Sequence, residues 1–303
     1  METILNEIKQ KYLNQQENPA TYLKGLLYSK PITYWDYVQT DTLLSIQNTR
    51  TDFPDEMVFL MYHQVNELLF KMILWEIEQV SSVQELTIET FSEKLKRVSR
   101  YFDMLTTSFE IMGDGMSKEQ YLQFRDSLTP ASGFQSAQYR KIEFASTNIE
   151  NLLMANKRGE MNDNWSISDL YNNLYWQIAG IKPDGTLSVL MQQFQSRYKD
   201  EFFSYIIKMK ENNLYAQFLK IRKEESDQYK DLIKNMRHFD HTVNVKWTIA
   251  HLEAAAKYLD VEGDLIDSTG GSDWKKYMHP KYQRRIFFPS LWSEEELKNW
   301  GTF

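Results

Sequence analysis

Histidine is the side chain in this sequence best suited to chemistry, because the 303 residues include five histidines and no cysteine. The lack of cysteine excludes disulfides, thiolate nucleophiles, iron–sulfur clusters and zinc–thiolate sites. Any metal must therefore be bound by imidazole or by oxygen ligands. Two of the histidines, His63 and His251, lie in strongly apolar segments. A titratable ring in such a place needs a partner or a function.

His63 lies in the segment PDEMVFLMYHQVNELLFKMILWEIEQ, residues 54–79. Pro54 suits the first position of a helix, and the two acidic residues after it suit the positive end of the helix dipole. Apolar residues recur at helical spacing on two sides, namely Met57, Met61, Leu68, Met72 and Trp75 on one side and Phe59, Leu60, Phe70 and Leu74 on the other. We therefore expect a buried, central helix. Taken alone, a hydrogen-bonded core histidine explains His63 more simply than a functional one.

His251 lies in the segment KWTIAHLEAAAKYL. On a helix, Trp247 lies one turn before it, and Ala254 and Ala255 lie one turn after it. Small residues beside a histidine leave room for a flat body. That body is either a closely packed neighbouring helix, which is the more common case, or a porphyrin whose iron the imidazole ligates.

Two further segments have residues suited to binding an anion. Ser117 followed by Gln120 is typical of a capping box, so a helix is predicted that presents Tyr121 and Arg125 on one face. Most arginines are solvated surface charges, so this pair does not define a site by itself. Downstream, Thr269 and the two glycines after it supply a hydroxyl and unhindered backbone N–H groups.

The elements that must position these residues are predicted to be helices. The chain has 11 Gly and 7 Pro, with long stretches free of both, and shows no composition break that would mark a linker. An amphipathic stripe recurs in the segment from about Ile88 to Met112, namely Phe91, Leu95, Val98, Phe102 and Leu105. In the segment 33–47, Leu43, Leu44 and Ile46 are expected to be core residues. We predict one all-α domain over residues 1–303.

Charge and the N-terminal sequence limit the partners and the compartment. The formal net charge is −7 and the pI is near 5.4, which argues against nucleic acid or an anionic membrane as the main partner. The first 16 residues mix charges with apolar residues and lack both the apolar core of a signal peptide and a membrane span. We therefore expect a cytoplasmic protein. Aromatic residues make up 14% of the chain, which favours a pocket for flat rings.

Taken together, several segments resemble the haem-dependent tryptophan 2,3-dioxygenases. They occur in the family's order and are YWDYVQTDTLLSIQ at 34–47, DEMVFLMYHQVNELLFK at 55–71, FRDSLTPASGFQSAQYRKIEF at 124–144, W-x-x-x-H at 247–251, TGG at 269–271 and FFPSLW at 287–292. The resemblance implies a multi-helix haem-binding bundle of the tryptophan/indoleamine dioxygenase type that forms a homotetramer, a dimer of dimers. It also implies haem b, ferrous in the active form, and insertion of O2 across the indole C2–C3 bond of L-tryptophan to give N-formylkynurenine.

The resemblance assigns the cofactor and the indole ring to four residues. His251 corresponds to the proximal iron ligand, and Trp247 lies beside it on the cofactor side. His63 corresponds to the distal histidine that faces the indole N–H, and Phe59 to the pocket phenylalanine next to the indole ring.

The resemblance assigns the amino-acid end of the substrate to a second set of residues. Arg125 corresponds to the arginine that pairs with the substrate carboxylate, Tyr121 to a nearby pocket tyrosine and Thr269 to a threonine at the amino-acid end. Tyr34 and Tyr37 lie in an N-terminal segment, about residues 1–40, that in the family reaches into a neighbouring subunit's site.

The sequence departs from the family pattern near the proposed iron ligand and leaves alternatives open. Residues 248–250 read Thr-Ile-Ala where the family usually includes an arginine, and a few extra residues lie around 261–267. His238, preceded by Arg237, is therefore an alternative ligand. The alternative functions are a related haem monooxygenase or hydroxylase acting on tryptophan or another aromatic amino acid, and a haem or tryptophan sensor without turnover.

Overall fold

The structure is a computed structural model, and it describes residues 1–129, 131–162, 164–182, 185–221, 226–261, 264–265 and 279–302. Thr269 lies outside the described residues. The chain divides into two compact units, Met1–Asn48 and Thr49–Phe303. The expectation of a single domain over the whole chain stays a prediction.

The first unit consists of four short helices, α1 (Glu2–Asn14), α2 (Pro19–Tyr28), α3 (Tyr34–Val38) and α4 (Thr40–Leu43). The side chains of Asn18 and Thr33 cap α2 and α3, as these residue types do at helix N-termini. None of the four helices contains a buried residue. The prediction that Leu43, Leu44 and Ile46 are core residues is therefore wrong, since they are 37%, 72% and 51% exposed. A segment this short offers no second layer to cover them.

The described part of the second unit contains twelve further helices. They are α5 (Pro54–Ser82), α6 (Ile88–Thr107), α7 (Phe109–Gly113), α8 (Lys118–Leu128), α9 (Ala137–Ser146), α10 (Ile167–Asn172), α11 (Val189–Met209), α12 (Leu214–Lys220), α13 (Asp227–His241), α14 (Trp247–Leu259), α15 (Pro280–Gln283) and α16 (Glu294–Lys298). A π-helical turn, Thr242–Lys246, joins α13 to α14, and 3₁₀ turns span Gly133–Gln135, Ile149–Leu152, Tyr175–Gly180 and Pro289–Leu291. Two short antiparallel strands, β1 (Asp260–Val261) and β2 (Asp264–Leu265), follow α14.

The core lies between α5, α6, α9, α11 and α13. The amphipathic stripe predicted for the segment after residue 88 is buried as expected, and each of its five residues is at most 1% exposed. That segment forms two helices rather than one, because α6 ends at Thr107 and α7 begins at Phe109. The all-α fold class is confirmed.

Helix α5 is central, but only one of its two apolar sides is buried. Its core side is formed by Leu69, Phe70, Ile73, Ile77 and Val80. On the side expected to be core, Met57 is half-buried, but Met61, Leu68, Met72 and Trp75 are 41% to 67% exposed. Together with Val65, which is 44% exposed, these four residues form a face that we call the outer stripe. Spacing identifies an apolar face but not what covers it. The expectation of a fully buried helix is therefore wrong for this face.

No helix among the described residues combines the length and apolar character needed to cross a membrane.

Candidate functional site

Aromatic rings from α5 and α8 meet at the first part of the candidate site. The Phe59 ring centroid lies 4.3 Å from that of His63, 6.1 Å from that of Tyr121 and 5.6 Å from that of Phe124. Phe124 is fully buried, whereas Phe59 and Tyr121 are half-buried. The structure thus brings together three residues that the sequence placed in one site, and Phe124 forms the base beneath them.

The hydrogen bond of His63 sets the chemistry of its ring. Nδ1 lies 2.8 Å from the backbone carbonyl oxygen of Phe59. Because a carbonyl oxygen only accepts, Nδ1 carries the proton and Nε2 is left as an acceptor in the neutral ring. Although His63 is exposed, the atoms packed around the ring lower its pKa by desolvation, an effect opposed by the Phe59 carbonyl and by Glu67. The lowered pKa favours the neutral ring, in which Nε2 is an acceptor.

Tyr121 and Arg125 lie together one turn apart on α8, as predicted. Arg125 is only 9% exposed, so it is not a solvated surface charge. Burial raises the pKa of the Tyr121 phenol, whereas the charge of Arg125 and a hydrogen bond from it oppose the rise. Arg125 also makes a long ionic contact, since its Nη1 lies 3.7 Å from Oδ1 of the exposed Asp126. The guanidinium is thus held beside the aromatic cluster.

A pair of hydrogen bonds fixes α8 against the beginning of α5. The Asp55 carboxylate accepts from the backbone N–H of Ser117 at 2.6 Å, and the Gln120 side-chain oxygen accepts from the backbone N–H of Asp55 at 3.1 Å. Ser117 caps α8 as predicted, by accepting from the N–H of Gln120 at 3.3 Å. The predicted capping box is therefore only half correct, because Gln120 caps the neighbouring helix instead of its own. This exchange sets the spacing between the His63 and Arg125 sides of the site.

His251 lies on α14 at the second part of the candidate site. Its ring stacks on Phe109 with centroids 5.2 Å apart and planes 14° apart, and it lies 5.8 Å from the Trp247 ring. Its Nδ1 atom is buried and has no hydrogen-bond partner among the described residues. Burial, together with a smaller electrostatic effect of His63, lowers the pKa of His251 to about 4. The ring is therefore neutral near pH 7 and retains an unshared lone pair.

A run of rings connects the two histidines. Tyr62 lies 5.6 Å from His63 and 6.0 Å from Phe109, which in turn stacks on His251. Ala254 packs in the same apolar cluster, which is separate from the main core. The sequence left open whether a neighbouring helix or a porphyrin lies against the alanine face of α14. At Ala254 a neighbouring helix, α7, packs against this face.

Tyr62 and Phe109 were missed by sequence reasoning. Phe109 falls in the segment predicted as one ordinary amphipathic helix, and its position on α7 depends on the break at Ser108. The Ser108 hydroxyl donates to the Tyr62 phenol oxygen at 3.4 Å. No local signal in the sequence marks this break.

Three other predicted residues are exposed in the structure. His238 is exposed, and its Nε2 lies 3.0 Å from the Asp103 carboxylate, so a carboxylate already engages the nitrogen that a metal would need. Tyr34 and Tyr37 are 73% and 78% exposed in the first unit.

A cavity of about 620 Å³ lined by Phe144, Trp165, Ile206 and Asn213 shares no residue with the candidate site.

Comparison with known proteins identifies the family. A sequence model of the family described as "Tryptophan 2,3-dioxygenase" matches residues 25–242, which is most of the chain. The chain belongs to the tryptophan 2,3-dioxygenase family. The match includes His63 and Arg125 but ends before Trp247 and His251.

Relatives that carry the name tryptophan 2,3-dioxygenase match over shorter stretches. The protein from Bacillus anthracis is 40% identical over 119 residues, which are 39% of this chain and 42% of the relative. The protein from Ruegeria sp. (strain TM1040) is 38% identical over 129 residues, or 42% of this chain and 46% of the relative. The chain thus spans less than half the length of these relatives.

Proposed function

We propose that this member of the tryptophan 2,3-dioxygenase family is a haem-dependent dioxygenase that converts L-tryptophan and O2 to N-formylkynurenine. The observation that carries the proposal is the convergence of Phe59, His63, Tyr121 and Arg125 in one cluster. These groups are what an aromatic amino acid requires, namely an apolar wall, an acceptor for the indole N–H and a cation for the carboxylate.

The structure supports a direct role for Arg125 and Tyr121 in holding the carboxylate. A guanidinium binds a carboxylate through two parallel N–H donors, and a position shielded from water strengthens that contact. Arg125 meets both conditions, because it is buried and lies beside the phenol of Tyr121. We propose that Thr269 adds a contact at the same end of the substrate.

The structure supports a role for His63 as acceptor of the indole N–H. His63 carries its proton on Nδ1 and donates a hydrogen bond from it to the Phe59 carbonyl. Nε2 therefore has a lone pair that can accept from the substrate. A neutral ring adds no charge beside the apolar indole, and desolvation keeps it neutral. An analogue without the N–H would leave Nε2 unpaired, which is how the site can discriminate against it.

The residues around His251 fit a haem iron ligand. Its unpartnered buried nitrogen, its lowered pKa and its apolar neighbours Phe109 and Trp247 are the features that a neutral axial imidazole needs. No group of three or more His, Asp or Glu suitable for a metal occurs in the described part of the chain, and a haem iron needs only one protein ligand. Haem, when bound, supplies the activation of O2. The protein orients the indole and excludes water.

We propose that the active assembly is a homotetramer in the cytoplasm. Two surfaces support self-association, the outer stripe of α5 and the first unit, whose helices bury no side chain. Apolar residues that are exposed side by side on one face are typical of interaction sites. In this proposal, Tyr34 and Tyr37 extend from the N-terminal segment into a neighbouring subunit's site, which makes the site composite.

Turnover separates the candidate functions. The haem-loaded ferrous protein is mixed with L-tryptophan in air, and the products are identified by mass and absorbance. N-formylkynurenine is the expected product. A product with one added oxygen would instead indicate the related monooxygenase, and a Soret band that shifts with L-tryptophan without any product would indicate a sensor.

Substitution of the two candidate ligands tests the haem assignment. His251→Ala is expected to abolish stable haem binding, measured as haem per chain after gel filtration, because it removes the protein–iron bond. His238→Ala is the matched control and should retain wild-type haem content, since His238 contacts Asp103 at the surface. Haem retained by the first variant and lost by the second would reverse the assignment.

A further inference from the structure

A buried polar network joins the beginning of α14 to α9 through residues that the proposed chemistry does not use. Its centre is Arg285, which is 3% exposed. The guanidinium donates to four groups from separate parts of the chain, Glu143, Tyr175, Asn244 and Thr248. Buried arginines are rare unless they are fully paired, so this one has a structural or functional reason.

The planar guanidinium of Arg285, which we call the Arg285 fork, joins α9 to the beginning of α14. Nη1 donates to Oε1 of Glu143 at 2.6 Å, and Glu143 is fully buried on α9. Nε donates to Oδ1 of Asn244 at 2.5 Å, in the π-helical turn, and Nη2 donates to Oγ1 of Thr248 at 3.3 Å. One rigid planar group therefore fixes two successive turns of the α13–α14 helix against α9.

The network balances its charge inside the protein. Glu143 also accepts from Nη1 of Arg140 at 2.9 Å, and Asn244 donates to Oδ1 of the fully buried Asp240 at 2.7 Å. Arg285 and Arg140 thus share the carboxylate of Glu143, and hydrogen bonds from Asn244, from the backbone N–H groups of Phe287 and Phe288 and from Trp292 Nε1 satisfy Asp240, which limits the cost of burying these groups. Such a network is rigid when its members are satisfied, because a displaced member would leave a buried charge unpaired.

The π-helical turn aligns the network with His251. Asp240, Asn244 and Thr248 recur every four residues, a spacing that drifts around a regular α-helix. A π-turn holds more residues per turn, so it keeps these three side chains on one face. His251 follows Thr248 by three residues, and side chains at this spacing are neighbours on the surface of a helix.

We propose that Arg285 is a positioning residue for His251. Its bonds to Thr248 and Asn244 set the rotation of the first turn of α14, and that rotation sets the direction of the imidazole. The inference rests on the proposed role of His251 as haem ligand. It adds that the direction of this ligand is set through Thr248, three residues before it, by the guanidinium of a residue 34 positions further along the chain.

Thr248→Val tests the proposal with little change of shape. The variant removes one acceptor of the Arg285 fork and leaves the bonds to Glu143 and Asn244 in place. Thr242→Val is the matched control, because Thr242 is equally buried on the same helix but faces Asp103, with 3.5 Å between Oγ1 and Oδ1. Arg285→Lys is the second test variant, since lysine keeps the charge and loses the fork.

The readouts are the rate of haem loss to an apoprotein acceptor and the iron–histidine stretching band of the ferrous protein. Thr248→Val is expected to lose haem about tenfold faster than wild type, as loss of a hydrogen bond to a charged group predicts. Its stretching band should shift or broaden, and Arg285→Lys should show the same change. Thr242→Val should match wild type in both, even if all three variants melt at lower temperature.

Two results would overturn the proposal and are distinguishable. Wild-type haem loss and an unchanged band in both Thr248→Val and Arg285→Lys would show that the network is only structural, while the proposed function would stand. A wild-type protein that binds no haem would remove the proposed function and this inference together.

Discussion

Burial controls the chemistry of the individual residues in this site. Arg125 is nearly inaccessible, the hydrogen bond from His63 Nδ1 to the Phe59 carbonyl leaves Nε2 as the acceptor of the neutral ring, and His251 has a buried nitrogen without a partner among the described residues. Each of these states follows from local packing rather than from residue type. The sequence could name these residues as candidates, but it could not give their protonation.

Arg125→Lys tests the carboxylate assignment. Lysine keeps the charge but loses the planar pair of donors, so kcat/KM for L-tryptophan should fall by about 10- to 100-fold. Steady-state kinetics of the haem-loaded variant measures this. Arg158→Lys is the matched control, because Arg158 is also partly buried but donates to the main-chain carbonyls of Asn151 and Leu153. An equal effect in both variants would contradict the assignment.

The lowered pKa of His251 predicts a pH dependence of stability. In the unfolded chain the ring takes up a proton near its ordinary pKa of 6.5, whereas in the folded chain it does so only near pH 4. The unfolded state therefore binds more protons between these values, and the stability of the haem-free protein should fall as the pH is lowered through this window. The loss should approach about 3 kcal/mol.

Denaturant unfolding at a series of pH values measures this loss. The variant His251→Asn lacks the titrating ring and should show a flatter dependence between pH 6.5 and pH 4. Identical slopes for wild type and variant would show that His251 is not buried in the neutral form.

Between the helices, reciprocal side-chain bonds hold the site together. The Asp55 carboxylate accepts from the backbone N–H of Ser117, and the backbone N–H of Asp55 donates to the Gln120 side chain, so two bonds join the beginnings of α5 and α8. These two bonds join residues that are far apart in sequence. The exposed apolar face of α5 likewise needs a covering surface that comes from outside this helix.

Asp55→Ala tests whether the spacing of α5 and α8 matters for binding. Loss of the bond to the Ser117 N–H and of a negative charge at the beginning of α5 should lower the unfolding free energy by about 1–2 kcal/mol. KM for L-tryptophan should rise more than kcat falls, because Asp55 lies outside the reacting groups. Asp55→Asn keeps an acceptor and should restore most of KM. A KM unchanged in the alanine variant would contradict this role.

Local signals explain which helices could be predicted. The α6 stripe was predictable because its helical spacing is visible in the sequence, although α5 and α13 are what cover it. The core assignments of Leu44 and Leu68 failed, because apolar character at helical spacing does not reveal what covers a face. The contact between Glu143 and Arg285 spans 142 positions, and a single sequence offers no signal for it.

At the scale of the whole molecule, the exposed apolar surface indicates self-association. The outer stripe repeats every three to four residues along α5, which is the spacing of a helix that packs against a partner. The first unit adds exposed aromatic side chains, among them Tyr34 and Tyr37. Both features support an assembly in which subunits complete one another.

The double variant Leu68→Lys/Met72→Lys tests the role of the outer stripe. If the outer stripe forms an interface of the proposed tetramer, two charges on this face should dissociate it into smaller species, because each apolar side chain loses its buried contact and a lysine would have to be desolvated. Light scattering coupled to gel filtration measures the mass. Lys71→Gln, a change at an exposed polar position of the same helix, should leave the mass unchanged. A tetramer that survives the double variant would place the interface elsewhere.

The most direct test of the proposed activity is the fate of the oxygen atoms. The haem-loaded ferrous protein is supplied with L-tryptophan and with dioxygen enriched in the heavy isotope, and the product is analysed by mass spectrometry. Incorporation of two heavy atoms from one dioxygen molecule into N-formylkynurenine is the predicted result. A product with a single heavy atom, or no product from a protein that binds both haem and L-tryptophan, would contradict the proposal.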